Sequence, residues 1–177
     1  MLIHSIELKS VDSTNDFAKR ECASFDQKAL TVLVAEKQTS GRGQYDKKWY
    51  STPSQLIVTF VFFAPPLDHS LLVQLLATTV QEVLQTHNLH PTIRWPNDLL
   101  INSKKIAGIL IETKDSCYIM GLGLNLHLTP EDLLHINQPA TCLFQESGKS
   151  FDRNKLIGEI TALLVQKIDS LLLSEGK

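Results

Sequence analysis

Cysteine is scarce in this sequence. Its three residues, Cys22, Cys117 and Cys142, are scattered and odd in number, which argues against a disulfide framework or a thiolate zinc site and for reduced thiols. The six histidines show no metal-ligand spacing either, and His87 and His90, near the end of a predicted helix, read as solvated. No apolar run approaches the roughly 20 residues of a membrane-spanning helix, and no stretch reads as a signal peptide. A cytoplasmic protein without a membrane partner is the expectation. Excess charge of one sign is missing as well: 17 Lys and Arg stand against 19 Asp and Glu, for a net charge of −2, so nucleic acid is not an expected partner. No Gly-Lys-Ser/Thr follows a glycine loop, which removes a nucleotide P-loop. No repeat, linker or low-complexity stretch breaks the 177 residues, a length suited to one domain with a substantial core.

The patterns that are present alternate between strand and helix. Ile3 to Leu8, Leu30 to Glu36, Leu56 to Phe63 and Tyr118 to Leu126 read as strands. Leu71, Leu72, Leu75, Leu76, Val80, Val83 and Leu84 recur at three- and four-residue spacing and predict one helix face. Thr129-Pro130-Glu131-Asp132 reads as a helix start. Asp152 caps a long helix whose seam of Leu156, Ile160, Leu163, Leu164, Ile168, Leu171 and Leu172 is expected to pack on the sheet or to join a partner subunit. Hairpins mixed with segregated helices predict an α+β fold with a mixed or antiparallel central sheet and helices packed on it.

Three polar segments stand apart from this scaffold. Arg94-Trp95-Pro96-Asn97-Asp98 leads into a predicted hairpin, with Leu99 to Ile101 and Ile106 to Ile111 as strands around Asn102-Ser103-Lys104. That geometry brings the Asp98 carboxylate and the Lys105 ammonium onto neighbouring strand ends. Gly108 has no packing reason to sit inside a strand and marks a close approach by a ligand or another backbone. The second segment, Gln38 to Trp49, contains Gly41-Arg42-Gly43 and then Lys47 and Lys48. Two glycines around an arginine let backbone N–H groups face an anion, and the loop from Ser40 to Lys48 is expected to be mobile because few apolar groups pin it. The third, Asp12-Ser13-Thr14-Asn15, is a helix cap followed by Asp16 to Cys22 as a short helix. One polar residue suffices for a cap, and four leave hydroxyl and amide groups for a ligand.

In this order the segments resemble the catalytic domain of biotin protein ligase, the biotin–acetyl-CoA-carboxylase ligase family. The residues that carry the resemblance are Asp12 to Asn15; Ala35-Glu36-Lys37-Gln38 with Gly41-Arg42-Gly43 and Trp49; Arg94 to Asp98; Lys105 with Gly108-Ile109-Leu110; and Gly121-Leu122-Gly123-Leu124-Asn125. The resemblance implies the biotin/lipoate ligase catalytic fold, related to that of class II aminoacyl-tRNA synthetases. It also implies ATP, biotin and Mg²⁺ as substrates and cofactors and the biotin carboxyl carrier protein as partner. Position by position, it implies biotin contacts at Ser13, Thr14, Asn15, Gln38, Gly41, Arg42, Gly43, Trp95, Lys105 and Gly108, with Ile109 against the apolar chain. Nucleotide contacts fall on Gln44, Lys47, Trp49, Asn97, Asp98 and Asn125, and Asp98 is the implied Mg²⁺ ligand. Lys105, Arg42 and Asp98 are the implied catalytic residues.

Two positions depart from the family loop: Gln44 stands where a second arginine is usual, and Asp46 where a further glycine is. Either Lys47 or Lys48 is expected to supply the missing charge, or the adenylate is held less tightly. Residues 1–177 are expected to form a single catalytic domain, without the N-terminal helix-turn-helix or the C-terminal β-barrel module of other members, and a homodimer is one expected assembly. The alternatives to biotin ligation are a lipoate or octanoate ligase or transferase of the same superfamily and a non-catalytic biotin or adenylate binder.

Overall fold

The structure is a computed structural model that describes residues 1–175; residues 176 and 177, the end of the expected domain, and the side chains of Asp46 and Glu175 lie outside the description. Seven strands, β1 (Leu2–Leu8), β2 (Ala29–Ala35), β3 (Gln55–Phe63), β4 (Thr92–Arg94), β5 (Asp98–Ile101), β6 (Lys104–Lys114) and β7 (Cys117–Asn125), form one sheet. Their spatial order is β1-β2-β3-β7-β6-β5-β4. The β1–β2 pairing is parallel and the other strand pairings are antiparallel, so of the two arrangements the sequence allowed, mixed or antiparallel, the sheet is mixed.

Residues alternate between the two sheet faces, and each face meets a different layer. On one side Val58, Phe60, Phe62, Met120, Leu122 and Leu124 join α2 (His69–Thr86) and α5 (Arg153–Glu175) in the main core. The α5 seam is buried there through Leu156, Ile160, Leu164 and Ile168. On the other side Leu33, Val61, Cys117 and Ile119 meet Ala18 and Cys22 at the far end of α1 (Thr14–Glu21). Further along that second face, beyond Ile57, the side chains become small or polar at Thr59, Gly121 and Gly123, and a cleft opens. Every residue of β2 is buried, as a strand covered on both faces requires.

Local chemistry sets the boundaries. The hairpin between β5 and β6 turns on Asn102 and Ser103 at φ 50° and 62°, the left-handed pair that a two-residue turn needs. It is tighter than the three-residue connection predicted, so Lys104 starts β6. The short α3 (Pro130–Leu134) carries a capping box between Thr129 and Asp132, and α4 (Leu143–Ser147) closes on Gly148 at φ 68°. His87, expected to be solvated, instead pairs with Glu159 of α5 at 2.7 Å and lies edge-on to Phe151, because helix packing brings the end of α2 against α5. His90 is exposed. The three cysteines are free and buried, and burial pushes the Cys117 thiol up to about 12, which leaves it unreactive. Among the described residues, no helix is long and apolar enough to cross a membrane.

Candidate active site

A cleft of about 300 Å³ lies at the open end of the second sheet face. It is bounded by the start of α1, the loop between β2 and β3, the β4–β5 turn, and the middle of β6 and β7. Nearly all the residues singled out from the sequence line it: Ser13, Thr14, Asn15 and Gln38 on one wall; Arg42, Gly43, Gln44, Lys47 and Trp49 in the loop; Trp95, Asn97, Asp98, Lys105, Gly108 and Ile109 opposite. Two predicted contacts do not line it. Gly41 is buried beneath the loop, where a Cβ would lie 2.7 Å from the Trp49 carbonyl oxygen and 2.9 Å from the Gln38 amide nitrogen. Asn125 is buried under the Pro139–Thr141 segment, and its amide is engaged there by protein groups.

The helix start is a network rather than a bare cap. Ser13 caps α1 through its hydroxyl, and Asp12 is drawn outward into a two-pronged pair with Arg20 at 2.7 and 2.9 Å. Thr14 donates both its backbone N–H (2.8 Å) and its hydroxyl (3.0 Å) to the Gln38 amide oxygen. Asn15 donates to the Leu110 carbonyl at 3.2 Å and to Glu112 at 2.9 Å, and accepts from the Thr59 hydroxyl at 2.8 Å. These bonds fix the wall of the cleft before any ligand arrives.

The glycine loop, expected to be mobile, has a ladder of its own. Gly43 N–H donates to the Lys47 carbonyl at 2.7 Å and Trp49 N–H to the Gly41 carbonyl at 2.8 Å, closing a small hairpin whose tip holds Tyr45 at φ 54°. Arg42 folds back from that hairpin onto Asp16 and Glu112. Those hydrogen bonds, Asp16's first, raise the guanidinium pKa above its ordinary value. The Trp49 indole lies over the β6–β7 floor, and a Cβ at Gly108 would be 2.9 Å from its Cζ3. The close approach that Gly108 signalled is therefore made by the protein's own indole and by Lys105, whose ammonium would be 3.1 Å from the same Cβ. Gly123 is closed to a side chain by the same ring.

Across the cleft, Lys105 Nζ lies 2.6 Å from Asp98 Oδ1 and 5.5 Å from the centre of the Trp49 ring. Arg94 takes the other Asp98 oxygen at 2.5 Å. Burial pushes the Asp98 carboxyl up, but the hydrogen bonds from Lys105 and Arg94 outweigh it and hold the group below its ordinary value. Two cations against one carboxylate leave this wall net positive, which suits an anionic ligand. Asn97 secures the turn to β6, donating from its amide to the Ile109 carbonyl at 3.1 Å and accepting from Ile109 N–H at 2.9 Å through its backbone. Both Asp98 oxygens are paired with cations, so a Mg²⁺ ion held by this carboxylate and by substrate phosphates would have to displace Arg94 or Lys105 from it.

Lys105 owes its position to Asn125, which the sequence placed with the nucleotide, and to Gln55 and the Pro139–Thr141 segment, for which the sequence indicated no role in the site. Its backbone N–H donates to the Pro139 carbonyl and its carbonyl accepts from Thr141 N–H, both at 2.9 Å. Asn125 Nδ2 donates to the Thr141 carbonyl at 2.9 Å and to the Lys105 carbonyl at 3.4 Å, and Gln55 Nε2 donates to the Asn125 side-chain oxygen Oδ1 at 2.8 Å. Replacing Asn125 with alanine strands Gln55 and Thr141 groups in the interior and lowers stability by about 1–3 kcal/mol, to be read from urea unfolding. Glu112 and Asp16 were likewise not singled out, since polar residues beside a strand end or in a first helical turn look solvated in sequence. Burial raises Glu112, while hydrogen bonds from Lys19, Asn15 and Arg42 more than offset it and lower the group. A carboxylate lowered in the folded state stabilises at neutral pH, and that contribution disappears as pH falls through the unfolded and then the lower folded value. Thermal unfolding scans are expected to show the gap between wild type and Glu112→Gln narrowing as pH drops from about 7 to about 3.

Residues 7–125 match the family model for the biotin/lipoate A/B protein ligase family. The chain belongs to that family. It is 33% identical over 167 residues to the bifunctional ligase/repressor BirA of Bacillus subtilis (strain 168), an alignment that takes in 89% of this chain and 51% of that protein. It is 30% identical over 167 residues to the biotin–[acetyl-CoA-carboxylase] ligase of Mycobacterium tuberculosis, covering 87% of this chain and 61% of that one. The biotin protein ligase of Aquifex aeolicus, solved in complex with biotin and ATP, superposes with a TM-score of 0.80 at 30% identity over 96% of this chain and 72% of its own. The chain thus spans about half the length of the first of these relatives. The family sheet and helices are those seen here, and the segments that carried the resemblance in sequence are the ones that meet at the cleft.

Proposed function

We propose that the chain is an ATP-dependent biotin protein ligase acting in the cytoplasm, with biotin and ATP as substrates and a lysine of the biotin carboxyl carrier protein as acceptor. In the first step a biotin carboxylate oxygen attacks the α-phosphorus of ATP, and pyrophosphate leaves. In the second, the acceptor amine attacks the acyl carbon of biotinyl-5′-adenylate, loses a proton, and AMP leaves as the amide forms. Both steps build negative charge on oxygen, so prearranged positive charge and alignment supply most of the acceleration.

One observation carries this reading: the Lys105 ammonium shares a cleft with the Ser13–Asn15 wall and the Arg42–Gly43 loop. A compact ammonium can bridge a carboxylate and a phosphate, and Asp98 holds it in place until an anion arrives. The Ser13 hydroxyl and the Gln38 amide offer partners to a ureido head, and Trp95 and Leu110 offer apolar surface to the valeryl chain; the Ile109 side chain, expected there, lies on the opposite sheet face in the main core, because strand residues alternate between faces. The Trp49 Nε1 donor is buried with no acceptor among the described residues, a group that a bound ligand satisfies. At about 300 Å³ the cleft is at the small end for ligand pockets, so accepting both substrates requires the Trp49 indole and the loop tip to move outward. Gln44 brings no charge to that tip, and the exposed Lys47 and Lys48 stand beside it to face the triphosphate.

Biotin-dependent exchange of labelled pyrophosphate into ATP tests the proposal. Exchange with biotin, and none with lipoate or octanoate, is the expected result. Equal exchange with lipoate or octanoate moves the assignment to the other branch of the family, and biotin binding without exchange makes the chain a binder.

A further inference from the structure

Glu112, near the end of β6, touches both recognition segments at once. Its carboxylate accepts from Asn15 Nδ2 at 2.9 Å, from Arg42 Nη2 at 3.0 and 3.1 Å, and from Lys19 Nζ at 2.5 Å. Asp16 holds the remaining edge of the same guanidinium, accepting from Nε at 2.9 Å and Nη2 at 2.5 Å. The Glu112 side chain is only 14% exposed, and two carboxylates balance two cations, so the cluster is neutral within itself. The Arg42 charge is therefore answered by the protein and is not offered to a phosphate. What Arg42 presents to the cleft is the backbone beside Gly43, held in place by its docked side chain.

We propose that Glu112 is a positioning residue that ties the Ser13–Asn15 end of α1 to the Gly41–Gly43 loop, with Asp16 as the second anchor of Arg42. The inference rests on the reading of the cleft as a biotin site. One carboxylate orients the Asn15 amide in the cleft wall and clamps the loop facing it, so the two halves of the biotin-head pocket form together. Lys105 and the Asp98 wall lie on the far side of Gly108 and do not touch this cluster. Loss of Glu112 therefore acts on biotin binding and leaves the reacting centre intact.

Glu112→Gln preserves size and an acceptor for Asn15 but cannot pair with both cations. Its KM for biotin is expected to rise about tenfold, the scale of one hydrogen bond to a charged group, with kcat and the KM for ATP within about twofold of wild type. Trypsin should cut the loop at Arg42, Lys47 and Lys48 faster in this variant, and biotin should protect it less. Glu112→Asp should recover part of both effects. A variant that keeps the wild-type KM and protection, or that loses kcat alone, overturns the role given to Glu112. Should Glu112→Gln fail to fold, Asp16→Asn, at a side chain 30% exposed, is read in the same way. Calorimetric titration of biotin into the wild type separates the two levels: no binding removes the biotin reading and this inference together, whereas wild-type binding matched by the variant removes only the inference.

Discussion

Alanine at Lys105 is expected to lower biotin adenylation by about 10²-fold or more, the scale for deleting one prearranged charge-stabilising group. The surroundings of Lys105 support that expectation. Its backbone is clamped between Pro139 and Thr141, its ammonium is held 2.6 Å from Asp98, and its side chain is 13% exposed, so the charge acts with little solvent screening. Among the described residues, the other cations near the cleft are committed or exposed. Arg94 is committed to the outer oxygen of Asp98, Arg42 is docked on Asp16 and Glu112, and Lys47 and Lys48 sit on the exposed loop. Lys105→Arg should recover little, because a planar guanidinium is a poor substitute for a point charge between two anions. Pyrophosphate exchange and single-turnover formation of the adenylate measure the loss, and near-normal turnover in Lys105→Ala refutes the role.

The second large effect is steric. A Cβ on Gly121 would fall 2.5 Å from Asn15 Oδ1 and 3.0 Å from its Cγ, and the Asn15 amide cannot swing away without abandoning Thr59, Leu110 and Glu112. Gly121→Ala is expected to destabilise the fold by about 1–3 kcal/mol, the range for overpacking a filled interior, and to weaken biotin binding at least about tenfold by displacing the α1 wall. Urea unfolding and calorimetric titration read the two effects separately. Unchanged stability together with unchanged biotin affinity would mean that Asn15 is not fixed by this floor.

Much of the site could be read along the chain because its signals are local. Asn102 and Ser103 announced the turn that places Asp98 beside Lys105, and Gly108 announced a close approach. What the glycine could not announce is that the approaching group is Trp49, some sixty positions earlier, because that contact exists only once β6 and the loop share a face. Arg42 shows the same limit from the other side. Its neighbours in sequence read as an anion loop, but its charge is neutralised by Asp16 and Glu112, which come from a helix and a distant strand. Asn125 was placed with the nucleotide by its motif, whereas the pairing of β3 with β7 sets it opposite Gln55 and in the interior under Thr141.

By itself the sequence determined most of the strands and helices, a sheet with helices packed on it, the family, and the three segments from which the cleft is made, because periodicity, turn chemistry and short motifs act over a few residues; the parallel β1–β2 pairing that makes the sheet mixed is a tertiary choice. Only the tertiary structure decided which of those polar groups face the cleft and which are consumed in holding it together. A side chain's partners are set by strand register and by the face on which it lies, and both are fixed by packing between segments far apart in the chain.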